Sequence, residues 1–112
     1  MGQLSRGEVV FVPFPYSDLS GVKLRPAVVL APADRGDWLL CQVTSKAYAD
    51  AGAVTLEQSD FAAGSLLVTS YARPAKLFTA QESLVRRQVG QLKPETFSRI
   101  VERTVEVLRG TH

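Results

Sequence analysis

Two short motifs carry side chains able to handle a phosphate: Arg25-Pro26 and Thr44-Ser45. Arg25 follows a polar, glycine-containing stretch, Ser17 to Lys23, and precedes the apolar run Ala27 to Ala31. That order predicts a loop tip that delivers a guanidinium onto the first residue of a buried strand. A guanidinium is a planar fork of donors that fits two phosphate oxygens. Its competing role is an ion pair with Asp18 that merely closes the loop. Thr44-Ser45 comes directly after another apolar run, Trp38 to Val43, so two hydroxyls stand where a strand gives way to a loop. Their competing role is to bond their own backbone as turn residues. If the two strands pair, guanidinium and hydroxyls share a pocket. Such a set suits cleavage of RNA, which carries its own nucleophile. The 2′-hydroxyl attacks the adjacent phosphorus once the phosphate is held in line and its developing charge is stabilised. Proton transfer would fall to Arg25, a water or a perturbed neighbour.

The remaining composition narrows the chemistry. The one histidine, His112, is the last residue, and the one cysteine, Cys41, sits inside an apolar run as a small buried hydrophobe. Histidine-activated nucleophiles and Cys/His zinc clusters therefore cannot be assembled. The acids are scattered without ligand-like spacing, so no metal and no cofactor is expected. Net charge is +2, yet Arg73, Lys76, Arg86, Arg87 and Lys93 stand against Glu82 alone in one segment. With Tyr71 and Phe78 nearby, this is one footprint of a nucleic-acid surface; the alternative is a solvated sheet face whose charges discourage edge pairing. No run approaches the roughly 18 to 20 apolar residues that cross a bilayer, and the opening residues form no apolar signal, so a cytoplasmic protein is expected.

These groups must be positioned by a single domain, residues 1–112, with 46% hydrophobic residues and 21% charged. Short apolar segments recur between turn signals: Glu8 to Pro13, Ala27 to Ala31, Trp38 to Val43, Ala53 to Leu56, Leu66 to Val68, Lys76 to Thr79 and Leu84 to Gln91. Many short strands with no helix between them predict an antiparallel barrel or half-open sheet. The first is apolar almost throughout and so is expected to be buried on both faces. Asp60 to Gly64 is read as a short helical turn. From Pro94 to Gly110 the apolar residues Phe97, Ile100, Val101, Val105 and Leu108 recur at helical spacing, which predicts an amphipathic helix covering the sheet with that stripe. Glu95 and Arg99 are placed for an i, i+4 pair on its other face.

In order and spacing these segments resemble the MazF/PemK family of toxin endoribonucleases, the mRNA interferases of type II toxin–antitoxin systems. Arg6-Gly7-Glu8-Val9-Val10 is similar to the family's RGDVV strand, with Glu8 in place of aspartate. Asp18-Leu19-Ser20-Gly21 followed by Lys23 to Leu30 is similar to its loop and RPxxVL strand, and Val43-Thr44-Ser45 to its I-T-S/A segment. Gly64 to Leu67, Ser70 to Arg73, Lys76 to Thr79 and Val89 to Leu92 resemble its later strands. The resemblance implies an SH3-like, mainly β barrel with a C-terminal helix, a homodimer, and metal-independent cleavage of single-stranded RNA that leaves a 2′,3′-cyclic phosphate. It assigns the catalytic roles to Arg25 and Thr44. It places Asp18, Ser20, Lys23, Ser45, Ser70, Arg73 and Lys76 along the RNA. The histidine that some members carry near the site has no counterpart, and Pro74 constrains the backbone between Arg73 and Lys76. The implied partners are an RNA substrate and an antitoxin whose tail occupies the RNA groove, with DNA reached only through that complex. Two other readings of such a barrel stand beside it: a CcdB-like toxin that poisons gyrase through its helix end, and a non-catalytic nucleic-acid-binding barrel.

Overall fold

The computed structural model describes residues 4–15, 21–47 and 51–111. Seven strands run β1 (Glu8–Pro15), β2 (Val22–Pro32), β3 (Asp37–Thr44), β4 (Val54–Leu56), β5 (Phe61–Gly64), β6 (Ser70–Gln81) and β7 (Arg87–Leu92), followed by the helix α1 (Pro94–Arg109). They form one antiparallel sheet in the order β4-β6-β3-β2-β1-β7-β5. The two end strands, β4 and β5, are neighbours in sequence, joined only by Glu57 and a 3-10 turn at Gln58–Asp60. So short a link forces the sheet's edges toward each other, and the sheet curls into a nearly closed barrel.

The continuous apolar runs of β1, β2 and β3 feed two cores, because alternate residues of a strand point to opposite faces. Val9, Val28 and Cys41 lie in one cluster with Leu56, Phe61 and Ile100; Val10, Ala27, Val29 and Leu40 lie in the other with Leu4 and Val85. The expected two-sided burial of the first strand is therefore observed. Cys41 is fully buried, and its thiol donates to the Arg73 carbonyl at 3.1 Å.

Several expectations are corrected. First, β2 begins at Val22, so Arg25 stands inside a strand and not at its first residue. Second, Leu66 to Val68 is a loop: Leu67 is 91% exposed with φ 72, and its N–H donates to Ser65 Oγ at 2.8 Å. Third, the helical turn expected at Asp60 to Gly64 ends at Asp60, and Phe61 onward is strand β5, its ring packed over Gly90. The segment from Leu84 is likewise divided, into a 3-10 turn at Glu82–Leu84 and strand β7.

Fourth, α1 has the expected extent, with Pro94 in its first turn and Gly110 as a left-handed cap, and Phe97 and Ile100 of the expected stripe pack on the core, but the rest of the stripe does not. Thr96, Ile100 and Thr104 are its buried residues, while Val101, Val105 and Leu108 are exposed. Two threonines can face the sheet because their hydroxyls are satisfied: Thr104 donates to the Ile100 carbonyl and Thr96 to Asp60 Oδ1, both at 2.8 Å. Arg99 turns to the same Asp60 oxygen at 3.4 Å instead of pairing with Glu95.

Asp60 thus fastens the helix to the turn between the barrel's edges. Its Oδ2 accepts from the Glu57 N–H at 2.8 Å. Burial raises its pKa, but the hydrogen bonds from Glu57, Thr96 and Arg99 outweigh burial and hold it below 3.8. A carboxylate with a depressed folded pKa stabilises above its unfolded value and loses that contribution as pH falls through the folded one. Asp60→Ala should cost about 1–3 kcal/mol in urea unfolding at pH 7, and the gap from wild type should narrow as the pH drops below 3.8. Gly64 has φ +73, and a Cβ there would lie 2.1 Å from the Val89 carbonyl oxygen. Gly64→Ala should therefore destabilise by at least about 2 kcal/mol, read as a lowered Tm, through left-handed strain plus a backbone clash.

Candidate active site

Arg25 is positioned by two ladders. On one side β1 pairs Val12 with Arg25 and Phe11 with Pro26. On the other, the β2–β3 ladder ends at Ala27 opposite Gln42, one residue short of Pro26, which has no N–H to extend it. Continuing that register by two residues sets Arg25 across from Thr44. The strands splay where the hydrogen bonds stop, and the gap between them is the site.

Two cavities open from this gap and share Arg25, Thr44 and Lys46 as a common wall. The first, about 250 Å³, has an apolar side of Phe11, Leu24, Leu66 and Val68 facing Lys23, Ser45 and Ser70. The second, about 530 Å³, is completed by Phe14, Gln42, Arg73 and Lys76. Among the described residues five cations and no carboxylate line the pair, so the groove carries a positive potential suited to a chain of phosphates.

The second cavity depends on an irregularity in β6. Cys41 pairs with Leu77 but Val43 with Ala72, so Gln42 alone stands opposite the four residues Arg73 to Lys76. A bulge of this kind bends the strand and re-aims its side chains. Pro74, which cannot donate to a ladder, is buried at its centre, and Arg73 and Lys76 on either side both reach the groove.

Of the residues singled out from sequence, Lys23, Arg25, Thr44, Ser45, Ser70, Arg73 and Lys76 all line this groove. Asp18 and Ser20 lie outside the described residues, as does the Asp18 side of the loop-closing ion pair. Arg25 forms no salt bridge with a described residue. Thr44 does bond its own turn, since Oγ1 accepts from the Lys46 N–H at 3.2 Å. That bond uses a lone pair and leaves the hydroxyl proton able to point at a bound phosphate. Ser70 is buried, and its hydroxyl donates to the Val68 carbonyl at 3.1 Å, so it shapes the loop over the first cavity.

Of the basic segment from Arg73 to Lys93, Arg73 and Lys76 line the second cavity, and Arg86, Arg87 and Lys93 line neither cavity. Arg87 lies over the Phe11 ring, 5.0 Å from its centroid, and the Lys93 N–H donates to the Asp60 carbonyl at the start of α1. Conversely, Lys46, Phe14 and Gln42 were not singled out from sequence. Lys46 directly follows Thr44-Ser45, and Gln42 is the one polar residue inside the run from Trp38 to Val43. Among the described residues no group of three or more His, Cys, Asp and Glu side chains could hold a metal ion, and no helix is long and apolar enough to cross a membrane.

The barrel is shared with solved toxins of low sequence identity. An endoribonuclease from a mycobacterial species, solved in complex with its cognate antitoxin, superposes with TM-score 0.72 at 16% identity, covering 100% of this chain and 98% of that one. The MazE–MazF complex of Deinococcus radiodurans gives 0.73 at 23% identity, over 97% and 98% of the two chains. The Mycobacterium tuberculosis toxin MazF-mt6 gives 0.65 at 16% identity, over 89% and 96%. No curated protein matches the sequence. Residues 5–108, nearly the entire chain, match one family model, and the chain belongs to that family: the PemK-like, MazF-like toxins of type II toxin–antitoxin systems.

Proposed function

We propose that this toxin is a sequence-specific, metal-independent endoribonuclease that cuts single-stranded mRNA and so arrests translation and growth. The observation that carries the reading is the common wall of the two cavities, where Arg25 and Thr44 stand together among cations with no described carboxylate beside them. A strand of RNA lying along the groove puts its scissile phosphate at that wall and a nucleotide on either side. Arg25 takes two non-bridging oxygens, and the Thr44 hydroxyl donates to a third acceptor. As the 2′-oxygen bonds to phosphorus and the 5′-oxygen leaves, negative charge grows on the held oxygens, where fixed donors act most strongly. The products are a 2′,3′-cyclic phosphate and a 5′-hydroxyl. Water takes the proton from the 2′-hydroxyl and returns one to the leaving oxygen. Side-chain cations supply the charge neutralisation that a metal provides in other nucleases.

The same groove suits the tail of an antitoxin. The mycobacterial relative is described in complex with its cognate antitoxin and the Deinococcus MazF with MazE. An acidic, flexible segment would be drawn to these cations and would compete with RNA. DNA would be reached only through that complex. A homodimer in the cytoplasm completes the reading.

Wild type should cut a mixed-sequence single-stranded RNA at discrete positions in EDTA, leaving cyclic phosphate ends. Arg25→Ala, folded by circular dichroism, should lose about 10²–10³ in rate, and Thr44→Ala a smaller factor. Intact RNA with wild type in the absence of antitoxin would overturn the reading in favour of gyrase inhibition or simple binding. Binding of a non-cleavable 2′-O-methyl RNA should weaken about 50-fold between 50 and 200 mM salt, as about four phosphate contacts to a single strand require. A salt-independent affinity would show that the groove does not hold the backbone.

A further inference from the structure

Gln42 is out of place in the groove's chemistry. Every other polar group around the second cavity is a cation or a hydroxyl, suited to phosphate oxygens. An amide contributes little to phosphate charge, but it offers a donor and an acceptor side by side, the pattern that pairs with the edge of a base. The half-buried Gln42 side chain makes no hydrogen bond with a described residue, although the serines and threonines around the groove largely bond their neighbours. The β6 bulge leaves Gln42 without a ladder partner on that strand, and Gln42 lines the second cavity together with Arg25 and Lys76. Phe14 supplies an aromatic wall there, fixed by an edge-on contact with Phe78 at 4.7 Å between centroids.

We propose that Gln42 reads the base of one nucleotide adjoining the scissile phosphate, and that the selected base is a keto base, guanine or uracil. The proposal rests on the endoribonuclease reading for the position of the phosphate. The amide alone pairs with any base edge that sets a donor beside an acceptor. Lys46 and Lys76, which flank the same cavity, only donate. Once the Gln42 amide has engaged the imide edge, N1–H and O6 of guanine or N3–H and O4 of uracil, the exocyclic oxygen keeps a second lone pair for those ammonium groups. Adenine and cytosine turn an exocyclic amine toward them, and two donors face each other. The first cavity presents mainly apolar side chains to the other flanking base, which it can hold by its face without regard to identity.

The test uses a set of short single-stranded RNAs that differ at one position at a time, with wild type, Gln42→Leu and Gln42→Asn. Wild type should favour G or U at one position next to the cut by about tenfold or more. Gln42→Leu should lower cleavage of the favoured RNA about tenfold, so that the preference at that position collapses while preferences elsewhere persist. Gln42→Asn retracts the amide by one methylene and should erode the same preference, which covers the case in which the leucine variant does not fold. Retention of the full preference in either folded variant, or a wild-type preference for A or C there, overturns the proposal. The same RNAs in 2′-O-methyl form lack the attacking hydroxyl, and their affinities are read by fluorescence anisotropy. If wild type cuts nothing, the endoribonuclease reading fails by itself. A keto-base preference in binding that disappears in Gln42→Leu still supports the base-reading site, and uniform binding of all four bases sinks it.

Discussion

The four-residue span Glu57 to Asp60 is the constraint on which the barrel depends. It joins the sheet's two end strands, and therefore neither edge can drift away to pair elsewhere. Asp60 makes the span rigid by accepting from the backbone at Glu57 and from two side chains of α1, so edge closure and helix docking are one event. The Asp60 carbonyl also receives the Lys93 N–H, which carries the chain from β7 into the helix. A single residue thus couples the β4–β5 link, the exit from β7 and α1, and the buried Ile100 belongs to the core cluster that Phe61 and Leu92 share.

Closure at that end leaves freedom at the other. The β2–β3 ladder stops before Pro26, and a three-residue excess in β6 interrupts the β3–β6 ladder at Gln42. Both breaks fall on the same stretch of β3: its ladder with β2 stops at Gln42, and β6 bulges away at Gln42 before pairing again at Val43 and Thr44. Hydrogen-bonded sheet has no room for a ligand between strands; parted sheet does. The groove is the direct product of two local failures of pairing in an otherwise regular antiparallel barrel, and its cations, Lys46 excepted, are carried on strands whose remaining lengths are locked in the core.

Much of this was legible in the sequence for a simple reason: β1, β2 and β3 are buried on both faces, and such strands read as unbroken apolar runs. Arg25 and Thr44 were visible because each stands beside a run's end. Phe61 to Gly64 was not, since two alanines and a glycine carry no strand signature, and its pairing is set by the Gly90 surface opposite. The buried face of α1 was legible only at Phe97 and Ile100, because Thr96 and Thr104 count as polar until their acceptors are known. Gln42, Phe14 and Lys46 entered the groove through the bulge and the splay, which arise from pairing offsets between strands distant in sequence.

The β6 bulge also separates two kinds of inheritance within one strand. Before it, Tyr71 and Ala72 keep register with β3 and Ser70 to Ala72 with β4; after it, Leu77 to Gln81 keep register with β3 alone. The Cys41 thiol pins its entry at the Arg73 carbonyl, and the buried Pro74 fills its interior. Ala75 and Lys76, which follow those anchors, belong to neither ladder, so exchanging their side chains leaves the register on either side in place. A change of side chain at Lys76 therefore alters the wall of the groove without touching the pairing that holds the barrel.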